Sequence, residues 1–405
     1  MMMTTTETSS SKKAWLAFII FFLTALFISG NNDKVSATMV LLIGDLGIGT
    51  ASAGLLITVA SVIGGIAAIP VGAMMVKTGP RTMGIFAILL ALIGCVVGAL
   101  LPHYSTLLVG RVFDGIAMGA IATVVPTVIA ANFPEEKRGL PMGIWSCYVS
   151  IGYIIVLQGA AILGDEANPH TWINIWWALA IAFVVILALF LIFTKTDKNA
   201  AAAEDASEEK IPLSRGFKSA TTVLITVCMI FLAIIVAMGS CYMPTYCNSV
   251  LGLDILKSNS LTSLMSISML VSGLVMGVFL NKVRNHKAVF LACAILTAIL
   301  GFFSFLFPQN IASIYMIVLG FFPQAMFATL FTLAPSAAES PETVSVTMGL
   351  ISFGQLIAGL AVTAGGMIID MSGFAACSYA LGAVGVCLVV FTILFNLAMK
   401  RKEAK

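Results

Sequence analysis

Gly72-Ala-Met-Met-Val-Lys77-Thr-Gly79-Pro80-Arg81 is the stretch on which the fold turns, because the chain says it twice. Gly277-Val-Phe-Leu-Asn-Lys282-Val-Arg284 repeats its glycine and lysine at an offset of 205 residues. A second pair of marks repeats at 206 or 207: Pro134-Glu135-Glu136 with Met142-Gly143, and Pro341-Glu342 with Met348-Gly349. A period of half the chain means a duplicated unit. Each Gly–Lys stretch closes a long apolar run, so the units are made of such runs.

Twelve apolar segments are readable, at approximately 14–43, 50–76, 82–101, 105–131, 142–163, 172–194, 220–250, 260–281, 287–307, 311–333, 345–369 and 375–399. A spanning helix needs roughly 20 apolar residues. The chain is 60% hydrophobic and only 10% charged, with a mean hydropathy of +1.07. A soluble core cannot use that much apolar surface, and a bilayer can. Lipid offers the backbone no hydrogen-bond partner, so the segments are expected to be helices. The expected fold is all-α, with twelve transmembrane helices in two six-helix bundles related by the internal repeat. Its divisions are a disordered cytoplasmic N-terminus at 1–13, a first bundle at 14–194, a cytoplasmic linker at 195–219, a second bundle at 220–399 and a cytoplasmic tail at 400–405.

Basic residues orient the chain. With the N-terminus inside, 18 of the 21 Lys and Arg residues fall on the cytoplasmic side, leaving Lys34, Arg111 and Lys257. The positive-inside rule selects this orientation, with both termini cytoplasmic in the cell membrane. The net charge of +3 therefore carries no nucleic-acid message. No cleavable signal peptide is evident. Six of the eight cysteines fall inside apolar segments and read as small buried hydrophobes. The three histidines lie in expected loops, so neither a metal site nor another cofactor is expected.

The chain resembles the major facilitator superfamily over residues 14–400. Gly72–Arg81 is similar to that family's Gly-x-x-x-Asp-Arg/Lys-x-Gly-x-Arg/Lys loop, with Val76 at the Asp position. Arg111-x-x-x-Gly115-x-x-x-Gly119 and Phe133-Pro134-Glu135-Glu136-Lys137-Arg138-Gly139 are family-like as well. The resemblance implies alternating access and a gating role for Gly72, Lys77, Gly79 and Arg81. Asn31-Asn32-Asp33-Lys34-Val35-Ser36-Ala37 faintly resembles the first-helix signature of the organic anion:cation symporters. Met118 stands where that branch has a glutamate. The fifth segment, Ser150 to Gly159, lacks the Gly-Pro pair of the drug antiporters.

An ionisable group at membrane depth costs from about 2.5 kcal/mol upward, which marks it as functional. Asp33, Lys34, Arg111 and Asp114 are the candidates. Asp33 lies 20 residues beyond Lys13, and Arg111 lies 21 residues before Asn132. At about 1.5 Å per residue both sit roughly 30 Å above the inner boundary. Residues 14–30 alone would leave Asn31–Lys34 in an outer loop, but the apolar run 35–43 argues that the helix continues to about Gly44. The four charges sum to zero, which limits the cost of burying them. Arg111 has an i,i+3 partner in Asp114, which is also a purely structural pairing.

The expected function is secondary active transport, with symport of a small organic anion and a proton. Lys34 and Arg111 would bind the anion with Asn31 and Asn32, and Asp33 or Asp114 would carry the proton. In the second half the candidates are neutral: Tyr242, Gln324 and Gln355. The other reading is antiport of amphipathic or drug-like compounds. No catalytic constellation is visible, and the expected partners are the substrate, the coupling ion and lipid, with the protein a monomer.

Overall fold

The computed structural model describes residues 4–134, 137–194, 219–339 and 343–403, without the side chains of 4–13, 69, 73, 76, 139, 345, 355–357 and 403. All but the last residue of the expected linker lies outside the described residues.

The described chain is helical. The elements are α1 (Thr4–Ala37), α2 (Met39–Leu46), α3 (Thr50–Leu100), α4 (Tyr104–Asn132), α5 (Gly139–Trp145), α6 (Tyr148–Leu163), α7 (Trp172–Phe193), α8 (Ala220–Ser249), α9 (Ile255–Lys282), α10 (His286–Phe302), α11 (Ala312–Ala337) and α12 (Val344–Glu403). Among the described residues, ten helices are long and apolar enough to cross a membrane, and His286–Phe302 is a shorter apolar helix.

The segments read from hydropathy are all here, but their ends differ for local reasons. Residues 4–13, expected to lack structure, form the first turns of α1. The helix runs unbroken through Asn31–Lys34, so these residues are not an outer loop. It pauses at Thr38, whose hydroxyl donates to the Lys34 carbonyl at 2.8 Å. Such back-bonding competes with the helical ladder. The second and third segments form one element, α3, bent at Gly79 (φ 81°, ψ 160°). The last two form α12, bent at Gly373 (φ 80°, ψ 175°). Both torsions lie where a Cβ is disfavoured, so glycine is the residue that permits each bend. The fifth segment breaks into α5 and α6 at Ser146–Cys147.

The helices fall into two compact units. The first takes the described residues up to Leu41 and those from Val59 to 194; the second takes Leu42–Thr58 and the described residues from 219 onward. In the first unit glycines let backbones touch. A Cβ on Gly30 would lie 2.7 Å from the Gly152 carbonyl oxygen, and one on Gly119 would lie 2.3 Å from that of Gly64. Apolar helices in lipid gain nothing from hydrophobic exclusion, so close van der Waals packing must hold them together. In the second unit α9 is tied to α11 by hydroxyls. Ser268 donates to Ile317 O at 2.6 Å, and Ser272 donates to Phe321 O at 2.7 Å. Within the same unit the N-terminus of α3 is capped by Asp370 of α12, which accepts from the N–H groups of Thr50 and Ala51, each at 2.8 Å. A carboxylate suits the positive end of a helix dipole. Thr58 of that segment donates to Gly359 O at 2.8 Å and accepts from Thr363 at 2.8 Å.

Candidate functional site

Four helices of the first unit meet around one carboxylate. Asp114 of α4 is 1% exposed. Its Oδ2 accepts from Lys34 Nζ at 2.9 Å and from Arg111 Nη1 at 3.0 Å. Its Oδ1 accepts from Asn31 Nδ2 at 2.7 Å. Spacing explains the geometry. Arg111 and Asp114 are three apart on α4, and Asn31 and Lys34 are three apart on α1, so each pair shares a face.

Lys34 is fully buried, and all three of its N–H groups are engaged. Besides Asp114 they reach Asn31 Oδ1 at 2.7 Å and the Cys95 sulfur at 3.6 Å. Its ammonium also lies 4.9 Å from the ring centroid of Trp176 on α7, a cation–π distance. Cys95, on α3, donates its thiol hydrogen to Asn31 Oδ1 at 2.9 Å. The socket needs small residues. A Cβ on Gly94 would fall 2.5 Å from Asp114 Oδ1, and one on Gly98 would fall 2.6 Å from Trp176 Nε1.

Arg111 faces the other way. Its guanidinium donates to the carbonyls of Asn31 at 3.2 Å and Asn32 at 2.5 Å, and to Asn32 Oδ1 at 3.4 Å. Asn32 and Asp33 are half-buried, so this is the open edge of the cluster. Asp33 interacts electrostatically with Arg111 and with Tyr148 at the start of α6.

The structure thus brings Asn31, Lys34, Arg111 and Asp114 into one network, with Asn32 and Asp33 at its edge. Sequence reasoning missed Cys95 and Trp176. Tyr242 and Gln324 belong to the second unit. Tyr242 is buried and donates its hydroxyl to Val362 O at 2.5 Å. Gln324 is half-buried and faces Gly273 of α9. The Gln355 side chain lies outside the described residues. Of the loop Gly72–Arg81, Lys77 is exposed, and Arg81 donates to Thr194 Oγ1 at 3.3 Å and Leu191 O at 3.4 Å, closing the end of α7.

A bundle of apolar helices with charges buried at depth defines a multi-pass membrane protein. The model of the Major Facilitator Superfamily matches residues 17–363, and the chain belongs to that family. Among curated proteins it is 25% identical over 328 residues to the cyanate transport protein CynX of Escherichia coli, covering 78% of this chain and 80% of that one. It is 26% identical over 181 residues to the uncharacterized MFS-type transporter YhcA of Bacillus subtilis, covering 44% of this chain. It is 31% identical over 111 residues to D-xylose-proton symporter-like 2 of Arabidopsis thaliana, covering 27% of this chain. These last two matches span only 33% and 22% of those proteins. Solved structures of the same fold include a D-xylose-proton symporter (TM-score 0.73, 17% identity, 93% and 97% of the two chains). A bacterial homologue of the human lysosomal transporter Spinster is similar too (TM-score 0.71, 17% identity, 96% and 97%).

Proposed function

We propose that this protein is a secondary active transporter that takes up a small organic anion together with a proton, by alternating access. One observation carries the reading: Lys34 and Arg111 share a single oxygen of Asp114. The buried core therefore holds two cations and one carboxylate, an excess of one positive charge. In low dielectric an uncompensated charge is expensive. Two neutral arrangements exist. Either Asp33 is ionised and no substrate is present, or a monoanion binds while Asp33 takes a proton. Each partly loaded form carries a net charge at depth, so anion and proton travel together. Arg111 offers the planar donor fork suited to a carboxylate, at the edge formed by Asn32 and Asp33.

Cyanate is itself a monoanion, so the long match to a cyanate transport protein supports an anionic substrate. One relative, named as D-xylose-proton symporter-like 2, supports the coupling ion. The protein sits in the cell membrane with both termini cytoplasmic, on the positive-inside argument.

Thermal stabilisation of the purified protein tests the reading, with acetate, lactate, benzoate, succinate, D-xylose and lincomycin as ligands. A ligand at 100 times its Kd stabilises by about 2.7 kcal/mol. A monoanion should raise Tm, and Arg111→Ala should abolish the shift. Stabilisation by lincomycin alone, indifferent to Arg111, would move the protein to the efflux class.

A further inference from the structure

We infer that Lys34 does not touch the transported anion but is a fixed counter-charge, locked in by Trp176, Cys95 and Asn31, that sets the proton coupling. The inference rests on the anion–proton reading above and deepens it.

The argument begins with what Lys34 lacks. It has no exposed surface and no unused N–H. A lysine that binds substrate must swing toward it, and this one cannot swing. Trp176, 1% exposed, lies over the ammonium and is itself packed edge-on against Trp172 at 4.8 Å. Asn31 bridges Lys34 to Asp114, and the gap left by Gly94 and Gly98 is filled by Asp114 and Trp176. Lys34 thus acts at a distance, through charge. With Lys34 present the core of Lys34, Arg111 and Asp114 is net positive, and Asp33 is free to exchange its negative charge for that of a bound anion. Without Lys34 the pair Arg111–Asp114 is already neutral. Asp33, faced by Arg111 from α4 and Tyr148 from α6, then keeps its proton, and an arriving anion meets no surplus positive charge.

The test is a charge balance. Acetate, lactate and benzoate are titrated into the full-length protein in detergent, from mildly acidic to mildly alkaline pH. For one linked proton, affinity should rise about tenfold per pH unit lowered. Lys34→Met should weaken binding and flatten that slope. Adding Asp114→Asn to Lys34→Met restores the net charge, and should restore the slope. A pH indicator in weak buffer should report about one proton taken up per anion bound by the wild type and the double variant, and almost none by Lys34→Met. If the double variant is folded, as its melting curve would show, yet stays flat, Lys34 works by contact and the inference fails while the anion reading stands. A Lys34→Met protein that keeps the slope overturns it equally. Where Lys34→Met does not fold, Lys34→Arg keeps the charge and must keep the slope; its loss sinks the inference. Should the wild type bind none of the three anions, the anion reading falls and takes this one with it.

Discussion

Gly94 sits where a methyl group has no room. Its Cβ would meet Asp114 Oδ1 at 2.5 Å and the Gly110 carbonyl oxygen at 2.9 Å, and a backbone atom cannot step aside cheaply. Gly94→Ala should cost about 1–3 kcal/mol, as overpacking does, and should disturb the carboxylate that holds both cations. Gly72, with nothing within 4 Å, is the control: Gly72→Ala should leave the melting temperature unchanged or raise it. Removing the carboxylate outright is harsher. Asp114→Ala leaves two buried cations facing each other, and breaking a buried pair costs roughly 3–5 kcal/mol; a melting curve reads this directly. At this scale the charged members of the cluster were legible, because Lys34, Arg111 and Asp114 stand out in apolar runs and the three-residue spacing aligns them. Cys95 and Trp176 were not. Their residue types are ordinary for membrane helices, and their roles exist only once α3 and α7 close on α1.

At the scale of elements, the apolar runs were readable and the joints between them were not. Gly79 and Gly373 look like any other of the 35 glycines, yet each carries the bend that lets one helical element serve as two spans. Gly79→Ala should cost roughly 1–3 kcal/mol from its backbone torsions alone, which only glycine adopts readily, although no neighbour lies within 4 Å to clash. A melting curve compared with that of Gly72→Ala would isolate this term. Asp254 shows the same logic at a helix start. It caps α9 by accepting from the Lys257 N–H at 2.8 Å, and that bond holds its carboxyl below the usual range. The folded form thus favours the ionised carboxylate. This contribution is present above the ordinary pKa of 3.8 and disappears as pH falls through the lower folded value. Asp254→Asn should therefore lower the melting temperature at neutral pH and converge with the wild type at the acid end, flattening the profile between them.

For the molecule as a whole, charge balance predicts the energetics of transport. A monoanion carried with one proton moves no net charge, so the membrane potential should not drive it. In proteoliposomes, an inward proton gradient should accelerate uptake, while a potassium diffusion potential of either sign should leave it unchanged. Uptake that follows the potential would mean a different stoichiometry. The twofold sequence repeat made the architecture legible, because a period of half the chain survives in loop residues such as Gly72 and Gly277. It gave no hint that the compact units would trade a segment. Leu42–Thr58 is flanked in the chain by the first unit and yet packs within the second, under the cap of Asp370. For anyone dissecting this protein, that exchange has a practical result. A gene cut in the region 195–219 would not encode two self-sufficient pieces, since the downstream fragment would be made without the strand of chain that Asp370, Gly359 and Thr363 hold. The fragments would have to be produced in the same cell, and their reassembly would itself report whether α12 can recapture its missing helix end.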